Sequence, residues 1–323
     1  MSKKGTMDQW KMQQEHAVFG YYCERWLAAN KTRLKESSYQ KYRSDIKNHI
    51  KPFWGECLPD EIVSEMVDRF TGMLLNEKHL SPKTVRDILT LFHSVFIYIS
   101  RRTELKLRNL EIIYPKEHKK IIRVLNKQEE KILTLFLVKE MDLSKFGVYI
   151  ALRTGMRIGE VCALRWCDIS LQAETISVNH TVQRLKNPDA TACAKTAVIL
   201  GTPKSDSSSR TIPLMQDIKL LCTRFFSNNP EAFVLTGTTH CMDPRQLQRR
   251  LKSYVLACDI KKVHFHTLRH TFATRCVEAG FDIKTLSEIL GHSNVNITLN
   301  QYVHPDLNLK RENMSRLKPV ICI

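Results

Sequence analysis

The sequence of 323 residues contains no apolar run approaching the roughly eighteen residues that a membrane-spanning helix needs. Its first residues, Ser2-Lys3-Lys4-Gly5 followed by a polar stretch, lack the apolar segment of a secretory signal. The sequence also lacks a P-loop, a carboxylate cluster suited to Mg²⁺ and an internal repeat. These absences predict a cytoplasmic protein with no membrane partner and no P-loop nucleotide site.

The cysteines are spaced unlike those of a metal site. All ten occur singly, and none forms a C-x-x-C pair of the kind that binds zinc. Several lie inside apolar runs, such as Cys162 between Val161 and Ala163, and are expected to be small buried hydrophobic residues. We therefore predict no metal, no cofactor and no disulfide.

Basic residues exceed acidic ones along the whole chain. Lysine and arginine number 50 against 33 acidic residues, which gives a formal charge of +17. Residues 1–124 carry 23 basic and 15 acidic side chains, a balance of +8, and residues 125–323 carry 27 and 18, a balance of +9. Because both halves share the excess, nucleic acid is the favoured partner. A basic but solvated surface, or attraction to anionic lipid, is the alternative.

The first hundred residues have the pattern of a helical bundle. Apolar residues recur at three- and four-residue steps over residues 19–100, as the buried faces of helices do. One run, residues 39–50, stops before Pro52, and another covers residues 62–75. Ser81 supplies an N-cap for a last helix that a proline begins. We therefore predict a four-helix bundle.

The rest of the chain mixes helices and strands. Helical patterns alternate with short β-branched segments at residues 175–178, 197–200 and 210–214, which predict a small antiparallel sheet. A charged, proline-containing stretch before this part is expected to be an exposed linker. The predicted class is α+β and mostly helical, with a short N-terminal extension (1–18), a helical domain (19–112), a linker (113–124) and a mixed domain (125–323).

One stretch of the mixed domain carries side chains suited to binding a phosphate. An apolar helix ends at Gly155, and Arg157 then starts a new helix, where backbone N–H groups and the helix dipole favour an anion. The guanidinium offers a fork of donors to phosphate oxygens, and Glu160 lies on the same face to hold it. Taken alone, an ordinary surface ion pair is the simpler interpretation.

Three later stretches supply a lysine, histidines and a tyrosine. Lys204 lies in a turn-rich loop between two strands, where it could reach a reacting centre or only keep the surface soluble. His266 and Arg269 are three residues apart and share a helix face, and the histidines beside them have no carboxylate or cysteine placed to complete a metal site. A glycine ends a helix before His292, and Tyr302 follows ten residues later. A lone tyrosine is more often a core residue than a nucleophile.

In order, spacing and type, these residues together resemble the tyrosine recombinases, the phage integrase family. The matching motifs are Thr154-Gly155-Met156-Arg157 with Glu160 and Asp168, then Thr202-Pro203-Lys204, then His266-Thr267-Leu268-Arg269-His270, Leu290-Gly291-His292 and Tyr302. Residues 19–100 resemble the family's core-binding domain, and the first 18 residues are expected to be too few for the arm-binding domain of some integrases. The resemblance implies six catalytic residues, namely Arg157, Lys204, His266, Arg269, His292 and Tyr302.

The resemblance also implies a transesterification at a DNA phosphodiester. Tyr302 would attack the phosphate and become joined to its 3′ side, and His266 would take the phenolic proton. The two arginines would hold the non-bridging oxygens, and His292 would hydrogen-bond the scissile phosphate. Lys204 would protonate the departing 5′ oxygen.

The partners that follow are double-stranded DNA, a homotetramer on paired recombination sites and, as a further candidate, an accessory DNA-bending or excision factor. The expected activity is integration or excision of a mobile element. Xer-like resolution of chromosome or plasmid dimers is the alternative, followed by relaxation of supercoils in the manner of a type IB topoisomerase. The residues after Tyr302 are expected to dock on a neighbouring protomer.

Overall fold

The computed structural model describes residues 17–117, 122–187, 196–202, 208–261, 263–302, 311 and 314–315. The chain forms two compact units that divide between Lys120 and Ile121, inside the segment predicted as the linker. Helices predominate and a small part of the second unit is antiparallel sheet, which confirms the expected α+β class. Within the described part, no helix is long and apolar enough to cross a membrane.

The first unit is helical throughout. Its helices are α1 (Phe19–Asn30), α2 (Glu36–Asp45), α3 (Lys51–Trp54), α4 (Ser64–Gly72) and α5 (Pro82–Arg102), with π-helical turns at Ile46–Ile50 and Met73–Glu77 and a 3₁₀ turn at Pro59–Glu61. As predicted, Ser81 caps α5, because its side chain accepts a hydrogen bond from the backbone of Thr84.

The second helical run does not stop before Pro52, contrary to the sequence prediction. The N–H of Lys51 donates to the carbonyl of Ile46, which closes a π-helical turn, and the helix then continues to Trp54. After the π turn the α-helical hydrogen bonds begin again, so Pro52 lies in the first turn of α3. The N–H groups of a first turn have no partner within the helix, so the N–H that proline lacks costs little stability there.

The core of the first unit is built around aromatic rings. The ring of Phe92 on α5 lies 4.8 Å from that of Trp54 and 5.1 Å from that of Phe19, measured between centroids. The chain after α5 stays with this unit, because Tyr114 packs against the core and the N–H of Glu111 donates to Ser64 Oγ at 3.0 Å. The start of the predicted linker is therefore packed rather than fully exposed.

The second unit wraps helices around a buried central helix. Its helices are α6 (Lys127–Val138), α7 (Leu143–Thr154), α8 (Ile158–Ala163), α9 (Gln216–Phe225), α10 (Pro244–Ala257), α11 (Phe265–Glu278), α12 (Ile283–Leu290) and α13 (Val295–Tyr302), with a 3₁₀ turn at Trp166–Asp168. Residues 146–152 of α7 are all buried, as expected for a helix that is apolar on every side.

The strands form two sheets where the sequence predicted one. The strands β1 (Ile169–Ser170), β2 (Thr175–Val178) and β5 (Arg210–Pro213) make an antiparallel sheet, and β3 (Thr181–Lys186) pairs with β4 (Thr196–Gly201) in a second one. Residues 197–200 therefore pair with a strand that the sequence did not reveal. Only Val182 of β3 is buried, so the strand lacks the alternation that marks a half-buried strand.

Helix α8 is fixed against the β3–β4 hairpin by a close backbone approach. A Cβ atom at Gly159 would lie 2.5 Å from the carbonyl oxygen of Val182, so only glycine fits there. This contact sets the position of α8, and thereby of Arg157 immediately before it.

Candidate active site

Three arginines meet at the C-terminal end of α12. They come from separate elements: Arg157 from the start of α8, Arg210 from the start of β5, and Arg269 from α11. All three donate to successive carbonyls of residues 289–291. Arg210 Nε reaches the first at 2.5 Å, Arg269 Nη2 the second at 2.6 Å and Arg157 Nη2 the third at 3.1 Å. The last carbonyls of a helix lack partners and carry partial negative charge, so this helix end stabilises a cluster of cations.

Arg269 is the buried member of the cluster, with 1% of its surface exposed. Its second donor, Nη1, lies 2.8 Å from the carbonyl of Gly155, which ends α7 in the left-handed conformation at φ +66°. Burial, and next the neighbouring Arg157, lower the pKa of Arg269 to about 9. The side chain is therefore still a cation at neutral pH, and its guanidinium is held in one orientation by fixed backbone carbonyls.

Glu160 connects the other two arginines. Its Oε1 accepts from Arg157 Nη1 at 2.8 Å and its Oε2 accepts from Arg210 Nη2 at 2.8 Å. Burial would raise the pKa of Glu160, but the bonds to Arg210 and the charge of Arg157 outweigh it and lower the pKa below its ordinary value. The side chain of Arg157 is 36% exposed against 5% for Arg210, so Arg157 is the one open to a ligand.

Tyr302, at the end of α13, lies beside these cations. The residue is 7% exposed, and its hydroxyl lies 2.7 Å from His270 Nδ1. Its ring is parallel to that of His292, with a centroid distance of 6.5 Å and an interplanar angle of 4°. Burial raises the pKa of Tyr302 to about 12, although Arg269 and Arg157 act in the opposite direction. The phenol is therefore protonated at neutral pH and has to lose its proton before or during any attack.

The histidines around Tyr302 are neutral. Burial, followed by the charges of Arg269 and Arg157, lowers the pKa of His292 to about 4. His292 Nδ1 lies 2.8 Å from Oγ1 of Thr298, which is fully buried. If the hydroxyl donates to Nδ1, the ring proton is on Nε2 and is available to an anion.

His266 lies on α11, near its start. Its side chain is exposed, and its ring meets that of His270 edge-to-face at 4.5 Å and 86°. Desolvation, then Arg269 and Arg157, lower the pKa of His266 below its ordinary value. His266 is therefore the histidine of the group that is most open to an incoming phosphate.

Five of the six residues expected from the sequence come together in this way: Arg157, His266, Arg269, His292 and Tyr302. The sixth, Lys204, lies outside the described residues. Three contributors were not selected from the sequence, namely Arg210, His270 and Thr298. Helical spacing could have singled out His270, four residues after His266, whereas nothing local marks the other two.

In the part of the chain that the structure describes, no group of three or more His, Cys, Asp or Glu side chains is placed to hold a metal ion. The histidines of the cluster are interleaved with arginines rather than with carboxylates. The arrangement can bind an oxyanion through fixed cationic donors, and it places a buried hydroxyl beside that anion site.

Two stretches of the chain match known protein families. Residues 111–308 match the phage integrase family, and residues 18–58 match the phage integrase N-terminal SAM-like domain. Together these matches cover parts of both structural units.

Among similar proteins, a tyrosine recombinase described as XerC-like from Caldanaerobacter subterraneus subsp. tengcongensis is 28% identical, over 90% of this chain and 80% of its own length. The ICEBs1 integrase of Bacillus subtilis is 24% identical, over 92% and 81% respectively.

Solved structures share the fold. A fragment of the Tn1549 transposon integrase, in complex with a circular intermediate DNA, superposes with a TM-score of 0.74 at 22% identity and covers 94% of this chain and 100% of that one. A lambda integrase tetramer bound to a Holliday junction gives a TM-score of 0.63 at 15% identity, with coverages of 89% and 78%.

Proposed function

The chain belongs to the phage integrase family, and we propose that it breaks and rejoins double-stranded DNA through a covalent 3′-phosphotyrosyl link at Tyr302. One observation carries the assignment of this residue: its hydroxyl is buried beside Arg157 and Arg269, which the end of α12 holds in place. A buried phenol next to fixed cations suits attack on a phosphodiester, whose charge those cations attract.

In this proposal Arg157 binds the scissile phosphate and Arg269 stabilises the bound phosphate by its charge. Arg157 makes only long bonds to the carbonyls of residues 290 and 291, at 3.4 and 3.1 Å, and it is partly exposed. Phosphate oxygens are charged acceptors, so their hydrogen bonds to Arg157 would be stronger than those of the carbonyls that they replace. Arg269 keeps its short carbonyl bonds and contributes charge. Loss of one such donor typically slows the chemical step ~10²–10³-fold.

The neutral histidines can donate hydrogen bonds to the reacting groups or accept protons from them. His292 would donate its Nε2–H to the scissile phosphate, and His266, which is exposed, would be open to the DNA.

Lys204 is assigned as the acid that protonates the departing 5′ oxygen. It is six residues before Arg210, whose guanidinium bonds Glu160 and the end of α12. Six residues of extended chain span at most ~20 Å, so the length of the chain from this anchor allows a lysine at position 204 to reach the site.

The biological reaction that we propose is integration or excision of a mobile element in the cytoplasm. The similar integrases of ICEBs1 and of the Tn1549 transposon support it. Four protomers on two duplexes are the proposed assembly, by analogy with the lambda integrase tetramer on a Holliday junction. Resolution of DNA dimers is the second candidate, because one similar recombinase is described as XerC-like.

The test is the trapping of the covalent complex. Purified protein is incubated with fragmented DNA from the host or element, denatured with SDS, and the attached DNA is sequenced, which also identifies the target site. Wild-type protein and the control Tyr254→Phe should form the adduct. Tyr302→Phe should bind the same DNA and form none, and an adduct with this variant would exclude Tyr302 as the nucleophile.

The same DNA separates recombination from relaxation. Two copies of the identified site on different molecules should yield exchanged strands. Relaxation of a supercoiled plasmid without exchange would instead identify an activity of the type IB topoisomerase kind.

A further inference from the structure

The hydroxyl of Tyr302 contacts a histidine that is not one of the six expected catalytic residues. His270 Nδ1 lies 2.7 Å from Tyr302 Oη, a normal hydrogen-bond length, and their ring centroids are 5.6 Å apart. His266, which the sequence suggested as the proton acceptor, contacts the ring of His270 instead. The contact thus links residues 32 positions apart, from α11 and α13.

The surroundings of His270 keep it in the form that accepts a proton. Burial, then the neighbouring His266 and Arg269, lower the pKa of His270 to about 4. One ring nitrogen of a neutral imidazole carries a lone pair, and in the tautomer with the ring proton on Nε2 the Tyr302 hydroxyl donates to Nδ1. The charged and titratable groups around this contact come from four places in the fold. They are His266 and Arg269 from α11, Tyr302 from α13, His292 from the turn between α12 and α13, and Arg157 from the start of α8.

We propose that His270 is the general base that takes the proton of Tyr302 during DNA cleavage and returns it during rejoining. The inference rests on the proposed function, because it concerns the same nucleophile. In cleavage, the Oη–H bond breaks and the proton passes to His270 Nδ1 while the Oη–P bond forms. The bond from phosphorus to the 5′ oxygen breaks, and that oxygen takes a proton from Lys204.

Rejoining is the reverse. A 5′ hydroxyl attacks the phosphotyrosine and gives up its proton to Lys204, the P–Oη bond breaks, and the phenolate takes the proton back from His270. No oxidant, metal or nucleotide enters either step. His266 then has two other roles: its exposed ring can bind the phosphate, and its edge-to-face contact fixes the plane of the His270 imidazole.

The substitution His270→Asn tests the proposal, since the asparagine side chain places a polar atom close to the position of Nδ1 but cannot act as a base. Single-turnover cleavage should slow ~10²–10⁴-fold, the usual contribution of a general base, while DNA affinity stays within about twofold. The matched control is His240→Asn, an exposed histidine outside the cluster, which should cleave at the wild-type rate.

A more acidic nucleophile provides the decisive readout. When a fluorinated tyrosine is incorporated at position 302, the phenol gives up its proton without strong help, so His270→Asn should recover most of the lost rate. His266→Asn should not recover, and a DNA substrate with a 5′-bridging phosphorothioate should not rescue His270→Asn. Rescue of His266→Asn instead, rescue of neither variant, or unimpaired cleavage by His270→Asn would overturn the proposal.

A second measurement needs no substitution at His270. In the wild-type background, cleavage should fall at low pH as His270 becomes protonated, and fluorinated tyrosine at position 302 should weaken that fall. If the fall in cleavage rate at low pH were the same with tyrosine and with fluorinated tyrosine at position 302, that result would count against His270 as the base. Failure of the proposed function would look different, because wild-type protein would then form no adduct, or an adduct at another residue.

Discussion

Glu160 and Arg210 should be coupled far more strongly than a surface ion pair of the same geometry. Both side chains are almost fully buried, at 3% and 5% exposure, and their charged atoms lie 2.8 Å apart. Removal of one member of a buried pair typically costs ~3–5 kcal/mol, because the other charge is left without its partner. Glu160→Gln and Arg210→Met should therefore each lower the stability of the second unit by about this amount.

A double-mutant cycle isolates the interaction itself. The double variant leaves neither member of this pair without its partner. Arg157 loses Glu160 in both the single Glu160 variant and the double variant, so that effect cancels in the cycle. The loss of stability of the double variant should therefore be smaller than the sum of the two single losses by ~2–3 kcal/mol. The control is the pair of Arg165 and Glu231, whose charged atoms are also 2.8 Å apart but whose carboxylate side chain is 62% exposed. The same cycle on that pair should give at most ~1 kcal/mol.

Stability is best read for each unit separately, because two units need not unfold together. Urea titrations followed by amide hydrogen exchange in α7 and α11 report on the second unit. Equal coupling energies in the two cycles would refute the reasoning, since they would mean that burial does not strengthen this ion pair.

The pH dependence gives an independent check with a fixed sign. The pKa of Glu160 is lowered from its ordinary value of 4.5. Its charge therefore contributes stability above pH 4.5, and that contribution is lost as the pH falls through the lowered pKa. The stability difference between wild-type protein and Glu160→Gln should be constant near neutral pH and should shrink only below the ordinary value.

Two further variants address the chemistry. Lys204→Ala should slow cleavage of ordinary DNA ~10²–10⁴-fold, and a 5′-bridging phosphorothioate, which leaves without a proton, should restore the rate; lack of rescue would argue against its role as the acid. Thr298→Val should lower the cleavage rate about tenfold with unchanged DNA affinity, because it leaves His292 Nδ1 without the hydroxyl that orients the ring. Thr223→Val, at an exposed position, is the control, and a full-rate Thr298→Val would mean that the hydroxyl does not orient the imidazole.

Much of the fold could be predicted because its signals are local. Helix α5, for example, has a serine N-cap, a first-turn proline and an apolar stripe, and these act within a few residues of one another. The strand β3 had no such signal, since Val182 is its one buried residue. The continuation of the helix through Pro52 was missed for a related reason, because a π turn is not visible in the apolar periodicity.

In the candidate site, too, the residues that local spacing marks could be predicted, and those that tertiary contacts bring in could not. Spacing on one helix places His266, Arg269 and His270 on a shared face, but both histidines satisfy that spacing equally. Which of them meets Tyr302 depends on where α13 packs, and that is a tertiary contact. Arg210 was missed because its partners lie 50 and 79 positions away along the chain.

The charge of the described cluster explains why the site would favour a transition state over its substrate. Three guanidinium groups and one carboxylate, that of Glu160, give a formal balance of +3 − 1 = +2, while the neighbouring histidines are neutral. A phosphodiester brings one negative charge, whereas the pentacoordinate species formed by attack carries about two. Before DNA binds, the carbonyls at the end of α12 stabilise the excess positive charge of the cluster. They carry only partial negative charges, so they do not neutralise it. The proton that passes from Tyr302 to His270 leaves the total charge of the site unchanged, but the cluster's +2 faces two negative charges on phosphorus after attack and one before it. The cluster therefore attracts the pentacoordinate species more strongly than the substrate, which is the condition for binding energy to lower the barrier rather than only to hold the DNA.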